Sequence, residues 1–430
     1  MRRTWTEALP HEQPDARPHP LGSLPAKPHD GPDHGPPETP RAAAVDADVA
    51  GAVGRVLEEE LRRRLDAASA IDPDFARDVA GRVARFTLDG GKRTRSRFLW
   101  WGLRACARGS DDGRTGAALR LAAALELIQT CALVHDDVMD GSPMRRGSAA
   151  VHTGLDAQYG TGGAARGPGE SFGRSAAILV GDLALAWADD TVADTALAPD
   201  ARRRVNAVWR SLRTEMVAGQ YLDLRGQARG ARSVTAAIRT ASLKSALYSV
   251  ARPLALGAAL AGADDRTAGA LSSAGRCAGI AFQLRDDLLG VFGDPDRTGK
   301  PSGDDIREGK PTYLLAVARS RAEAAGDRRV LALLDSAVGD GGLSEDGLDR
   351  VRAALVATGA RDLVETGIER LVARSTRRLA SAALTRRGGR RLAELFHTVA
   401  GVAPGTAEPD PPDDEPHFAA LLQSCGEVRR

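Results

Sequence analysis

The sequence predicts an all-α fold, one large helical bundle with its site between helices, on three observations. Residues 46–400 are rich in Ala, Leu, Val and Arg, and aromatic residues make up only 4% of the 430-residue chain. That composition suits packed helices better than sheets. Apolar residues in this stretch recur at spacings of three and four, and no convincing alternation marks a strand. Prolines crowd the ends: ten of the 23 fall before residue 41 and five after residue 403.

In chain order, helices are expected over 46–70, 73–87 and 92–108, the last following the Gly90-Gly91 break. The long apolar run gives 115–140, and the glycines of YGTGGAARGPGESFG make 159–173 a loop. The same three-and-four spacing gives 174–195, 200–225, 233–262, 266–293, 311–325, 328–336, 344–358 and 360–384. Outside the 46–400 domain, the Pro- and His-rich arm 1–45 and the Pro/Asp-rich tail 401–430 lack the apolar residues to offset ordering entropy, so disorder is expected. HFAALLQ (417–423) reads as a frayed terminus in preference to a docked helix.

Net charge is +2 with the signs well mixed, which points away from nucleic acid as a partner. Met1-Arg2-Arg3 is followed by no apolar segment, which argues against secretion. The helix around 117–134 holds Arg120, Glu126 and Gln129, so it reads as protein core, not a membrane span. Cys106, Cys131, Cys277 and Cys425 form no CxxC pair, so neither a disulfide framework nor a zinc site is indicated. A cytoplasmic protein is the expectation.

The chemistry is concentrated where ELIQTCALVHDDVMDGSPMRRG (126–147) ends an apolar run in three carboxylates followed by two arginines. Paired aspartates alone carry little, because Asp-Asp also occurs at 111, 189, 264, 286, 304 and 413. Asp136, Asp137 and Asp140 differ in spacing: at 100° per residue they lie at about 0°, 100° and 40° on one helix face. Three anions so close repel one another unless cations sit among them, and a helix C-terminus disfavours them further. Mg²⁺ suits them, because it takes oxygen ligands, keeps several waters and is completed by substrate phosphates.

A second cluster, GIAFQLRDDLLGVFGDPDRTGKPSGDDIREGKPTY (279–313), ends another apolar helix at Asp286 and Asp287 and continues through Asp294, Lys300, Asp305 and Lys310. Two acidic helix ends far apart in sequence suit two facing walls of one metal site. Basic residues complete it: Gly90-Gly91-Lys92-Arg93-Thr94-Arg95, Arg145-Arg146 and Lys244. The two glycines break the chain just before a helix, where N–H groups and the dipole favour an anion. Arginine recognises phosphate bidentately, whereas lysine acts as a point charge. GxxxxGK[ST] is absent, so this is not a P-loop. Asp189-Asp190 with Asp194 has no basic partner nearby in sequence and reads as a solvated helix face.

These ordered motifs resemble those of the trans-isoprenyl diphosphate synthases, the polyprenyl synthetase family, over about residues 46 to 385. The resemblance is carried by GGKRTR, LVHDDVMDGSPMRRG, GDLAL (181–185), MVAGQYLD (216–223), LKSA (243–246), FQLRDD (282–287) and GKPSGDD…EGK (299–310). It implies a homodimer of helical subunits, each a bundle around a deep central cavity, three Mg²⁺ ions, and head-to-tail condensation of an allylic diphosphate with isopentenyl diphosphate. By resemblance, Asp136, Asp137, Asp140 and Asp286 hold the metals, supported by Asp287. Arg145, Lys244, Gln283 and Lys300 hold the allylic diphosphate, with Ser245 and Lys310 also at the substrates. Lys92, Arg95 and Arg146 hold isopentenyl diphosphate.

Three positions depart from the family pattern. Gln129 stands where His is frequent, Gly290 where a third Asp of the second motif is common, and Ser245 where Thr is usual. Gln129 still donates a hydrogen bond but cannot titrate; Gly290 leaves that wall of the metal site thinner. A His-Asp phosphohydrolase needs more histidines than His135, His152 and His397. A class I terpene cyclase has no second diphosphate to bind and no use for GGKRTR. A non-catalytic partner subunit is expected to have lost aspartates of the first motif. For product length, the face below Asp136 holds Ala132, Ile128 and Leu125 at four, eight and eleven residues back, flanked by Cys131. The first turn is small, and Ile128 is the first branched side chain on that face, about 12 Å down the axis. An isoprene unit spans roughly 5 Å, so two to three units fit, which favours geranylgeranyl diphosphate (C20).

Overall fold

The computed structural model describes residues 40–107, 112–159, 171–230, 232–294 and 302–403, together with 419, 421 and 423. Helix starts follow side-chain caps that satisfy the first free N–H groups. Asp48 caps Val49–Ile71, Ser171 caps Phe172–Ala193, and Asp264 caps Asp265–Phe292. Thr312, Asp327 and Ser344 cap the next three, Tyr313–Ala325, Arg328–Ala337 and Glu345–Ala357. With Thr94–Cys106, Asp112–Asp140, Pro199–Ala228 and Ala360–Ala380, the helices expected from periodicity are all present, their ends moved by a few residues. Most of the glycine-rich loop 159–173 lies outside the described residues.

Asp112–Asp140 runs through the core, packed along Phe172–Ala193. Its Leu121, Leu125, Leu127 and Ile128 are wholly buried. It is long and apolar enough to cross a bilayer, yet 72% of its most apolar window is inside the protein, as befits a core helix. A second apolar cluster joins Leu284, Leu288 and Val291 to Ile306, Leu314, Val351, Val364 and Ile368. The two acidic motifs thus end long helices that are each anchored in a core.

Several elements were not legible locally. The helical region begins at Ala42, before the boundary at 46: Ala42–Ala47 buries Val45 and plants Asp46 against Trp100 Nε1 (2.9 Å), Arg104 (3.1 Å) and Arg387 (3.1 Å). Arg386–Ala400 is a helix where none was expected; Leu392 and Phe396 turn inward, and Phe396 meets the Phe98 ring at 5.8 Å. Met144–Arg145 and Ser148–Ala149 pair as a short antiparallel hairpin, leading into Val151–Tyr159. In the tail, Leu421 is buried within the second apolar cluster, so this position is packed and not frayed. The expected 233–262 helix is continuous, but its centre, Ser242–Ala251, is a π-helix, a form frequent at functional sites. The Asp189 face is solvent-facing but not without partners: Asp189 accepts from Trp209 Nε1 (2.7 Å) and pairs with Arg213, while Arg64 lies 3.6 Å from the exposed Asp190.

Candidate active site

Asp136, Asp137 and Asp140 do not share one environment, because each turns to a different cation. Asp136 accepts from Lys244 Nζ (3.0 Å) and from Gln220 Nε2 (2.9 Å). Asp137, around the helix from the other two, is buried and accepts from Arg145 Nε (2.8 Å). Asp140 pairs with Lys310 (3.2 Å). Cations do sit among the three anions, and here they are supplied by the protein. Burial would raise the Asp136 carboxyl, but Lys244, Lys310 and Arg145 outweigh it and hold it below the ordinary carboxylate range. Burial pushes Asp137 up against the pull of Arg145, and burial together with Asp136 pushes Asp140 up.

The second wall is built from Asp265–Phe292 and the turn after it. Asp287 is buried and accepts from Gln283 Nε2 (2.7 Å); burial, Asp305 and Asp286 raise its carboxyl well above the ordinary range. Asp286 is exposed. Lys310 ties the walls together, reaching Asp140, Asp305 (3.4 Å) and Glu308 (2.7 Å). Burial alone would lower Lys310, but these three carboxylates raise it, so the ammonium stays charged. Lys244 behaves alike between Asp136 and Asp223 (2.5 Å). Gly290 leaves no gap: a Cβ there would lie 2.6 Å from Asp305 Oδ2. Asp305 fills that space from the following turn, which is bonded back through Gly303 N to Gly290 O (2.7 Å).

The donor set fits magnesium. All the candidate ligands are carboxylate oxygens, and Asp140 Oδ1 and Asp137 Oδ2 are buried without a hydrogen bond, while Asp140 Oδ2 faces the Lys310 ammonium. Among the described residues no three ligands converge into a ready cage. Magnesium needs none, since it is commonly bound by one or two carboxylates plus substrate phosphates.

Among the described residues, the remaining basic side chains Arg95 and Arg146 bond to other partners. Arg95 donates to Ser249 Oγ (2.8 Å) and stacks over the Tyr248 ring at 4.4 Å. Arg146 donates to Phe86 O (3.2 Å) and lies 4.9 Å over the Phe86 ring. Lys92 is exposed, and Gln129 carries a buried Oε1 without a hydrogen bond. Ser245 is half-buried beside Lys244 on the π-helix, and Lys300 lies outside the described residues. Cys131 and Ile128 are buried and Ala132 is half-buried. A cavity of about 320 Å³ opens beside Glu308 and Lys310, but its lining includes neither Ile128 nor Cys131.

Sequence reasoning assigned no role to Gln220, Asp223 or Glu308, and placed Asp305 in the second acidic cluster without a part of its own. The first two lie four and seven residues into MVAGQYLD, one helical turn apart, which is the signal that was available.

A largely helical protein whose two acidic helix ends meet lysines suits an enzyme acting on anionic substrates with the help of cations. A sequence profile of the polyprenyl synthetase family matches residues 78–341, and the chain belongs to that family. It is 32% identical over 300 residues to the geranylfarnesyl diphosphate synthase of Aeropyrum pernix, covering 69% of this chain and 84% of that one. To the geranylgeranyl diphosphate synthase of Mycobacterium tuberculosis it is 34% identical over 245 residues, 56% of this chain and 62% of that one. Among solved structures, geranylgeranyl pyrophosphate synthase from Corynebacterium glutamicum, complexed with isoprenyl diphosphate and magnesium, matches with a TM-score of 0.75. That match has 38% identity over 81% of this chain and 98% of that one. The chain is accordingly a prenyltransferase of the trans-isoprenyl diphosphate synthase type, and the cyclase and phosphohydrolase alternatives fall away.

Proposed function

We propose that the enzyme joins isopentenyl diphosphate head-to-tail to an allylic diphosphate, with Mg²⁺, to give geranylgeranyl diphosphate. One observation carries the reading: two carboxylate walls bridged by Lys310, with Arg95 and Arg146 held on other partners. That division suits one diphosphate that leaves and one that stays. Bound Mg²⁺, three ions as the resemblance implies, supplies the positive charge that a leaving diphosphate needs. Asp136, Asp140 and Asp286 are the ligands proposed for it, with Asp137 behind them on Arg145 and Asp287 on Gln283. Asp305 takes the place of the missing third aspartate at Gly290.

Lys244 and Lys310 are fully charged among these carboxylates and bind and orient the allylic diphosphate, together with Arg145 and Lys300. Lys92, Arg95 and Arg146, with Gln129, grip the diphosphate of isopentenyl diphosphate, which must be held without ionising. The apolar faces of the surrounding helices exclude water from the allylic cation. No side-chain base is assigned, and the released diphosphate takes the final proton.

The C20 product rests on Ile128 as the floor of the tail cavity below Cys131 and Ala132. The family alone does not fix length, since relatives of this chain are named farnesyl, geranylgeranyl and nonaprenyl diphosphate synthases. A cytoplasmic homodimer completes the proposal. The purified protein, given isopentenyl diphosphate and each allylic primer, is expected to make C20 product and to stop when EDTA is added. Activity surviving EDTA would overturn the metal reading, and a different chain length would overturn the floor.

A further inference from the structure

Only two non-glycine residues among those described have positive φ, Arg93 (50°) and Arg146 (54°). Side chains other than glycine avoid this conformation, and where it persists the surroundings must enforce it. Both arginines belong to the basic group, and both grip the same helix end. Arg93 Nη2 donates to Leu88 O (3.0 Å), while Arg146 Nη1 donates to Phe86 O (3.2 Å) and Asp89 O (3.4 Å). Guanidinium groups are well placed there, against the last carbonyls of Gly81–Leu88 and the negative end of its dipole.

Arg93 differs from its neighbours in facing inward. It is buried, and its Nη1 donates to Glu126 Oε2 (3.0 Å) on the core helix Asp112–Asp140. The other oxygen, Glu126 Oε1, accepts from Ser96 Oγ (2.6 Å), one turn into the helix that Arg93 opens. Gly90 makes room for this: a Cβ at that position would lie 2.5 Å from Arg93 Nη1. Lys92 and Arg95 flank Arg93 in sequence and have their direction set by its backbone. The turn is therefore tied at three points, to the Gly81–Leu88 helix end, to the core helix and to its own following helix.

We propose that Arg93 and Glu126 are positioning residues for the metal-free diphosphate site. The buried pair locks the Gly90–Arg93 turn in its left-handed form, and so presents Lys92 and Arg95 to the substrate without touching it. A site that works without metal has only its side chains to fix geometry, and small misplacements there weaken binding steeply. The proposal rests on the assignment of Lys92, Arg95 and Arg146 to isopentenyl diphosphate.

The test compares Glu126→Gln, Arg93→Gly, the double variant and, as a reference, Lys92→Ala, with steady-state kinetics for both substrates and thermal melting. Glu126→Gln keeps the shape but removes the charge; Arg93→Gly removes the grip and also the backbone penalty. Each is expected to raise KM for isopentenyl diphosphate by about tenfold or more, with kcat and the allylic KM within about twofold. The double variant should be no worse than either single one, because both break the same pair. If Glu126→Gln does not fold, Arg93→Gly carries the test, since glycine accepts that φ freely. An unchanged KM for isopentenyl diphosphate in these variants, or equal rises for both substrates, overturns the positioning role. Where Lys92→Ala still raises that KM, the site assignment survives; where it does not, the assignment falls as well.

Discussion

At the scale of single residues, the site is a set of charges that neutralise one another across the fold. Lys244 stands between Asp136 and Asp223, and Lys310 stands among Asp140, Asp305 and Glu308. Asp140 and Asp223 are almost wholly withdrawn from water, so they depend most on a cation, whether protein or metal. Asp136→Ala removes one anion while Lys244 keeps Asp223, so the fold should persist. Turnover is expected to fall by at least about a hundredfold, the scale of losing one preorganised electrostatic contact to a transition state. Circular dichroism and steady-state rates on one sample check both halves. Near-normal turnover would remove Asp136 from the reaction.

At the scale of elements, the π-helix Ser242–Ala251 delivers Lys244, and it lies very close to the Pro199–Ala228 helix. A Cβ on Gly219 would be 2.4 Å from Lys244 N and 2.6 Å from its Cα. Backbone cannot yield as a side-chain tip can. Gly219→Ala should therefore cost about 1–3 kcal/mol of stability and lower kcat by shifting Lys244, as urea unfolding and kinetics would read. Full activity in that variant would show that Lys244 tolerates displacement. The helix ending in Asp136 carries the other element-level expectation, since residues four and eight positions back share its face. Ala132→Phe should shorten the product towards farnesyl, and Ile128→Ala should lengthen it. Ile128 is wholly buried, so its truncation also costs stability, about 2–5 kcal/mol. Chromatography of the products checks the pair; wild-type product from both would place the floor on another helix.

At the scale of the whole molecule, the first described helix, Ala42–Ala47, is tied into the domain. Asp46 bonds Trp100, Arg104 and Arg387, and so joins the first described helix to two others far apart in the chain. Val45 beside it is fully buried. A chain beginning at residue 49 should lose about 4 kcal/mol or more, from one apolar side chain and a buried ionic network broken on one side. A chain beginning at residue 40 keeps both contacts and should unfold at the wild-type urea concentration. Equal midpoints for the two fragments would show that Asp46 and Val45 contribute nothing net.

The sequence by itself determined the helices, the order of the motifs and the residue types of the site, because helical periodicity and short motifs are local signals. Asp136, Asp137, Asp286 and Lys244 could be named from their neighbours in the chain alone. It missed the partners of Asp189, the helix Arg386–Ala400 and the packing of Leu421, which come from elsewhere in the fold. Tertiary structure decided which charge faces which. Lys244 meets Asp136 across 108 positions, Asp305 fills the space beside Gly290, and Glu126 holds Arg93 in a conformation that its own side chain disfavours. Nothing local specifies such pairs, because a charged side chain takes its partner from whatever the packed helices bring within a few ångströms, and burial then makes that partner obligatory.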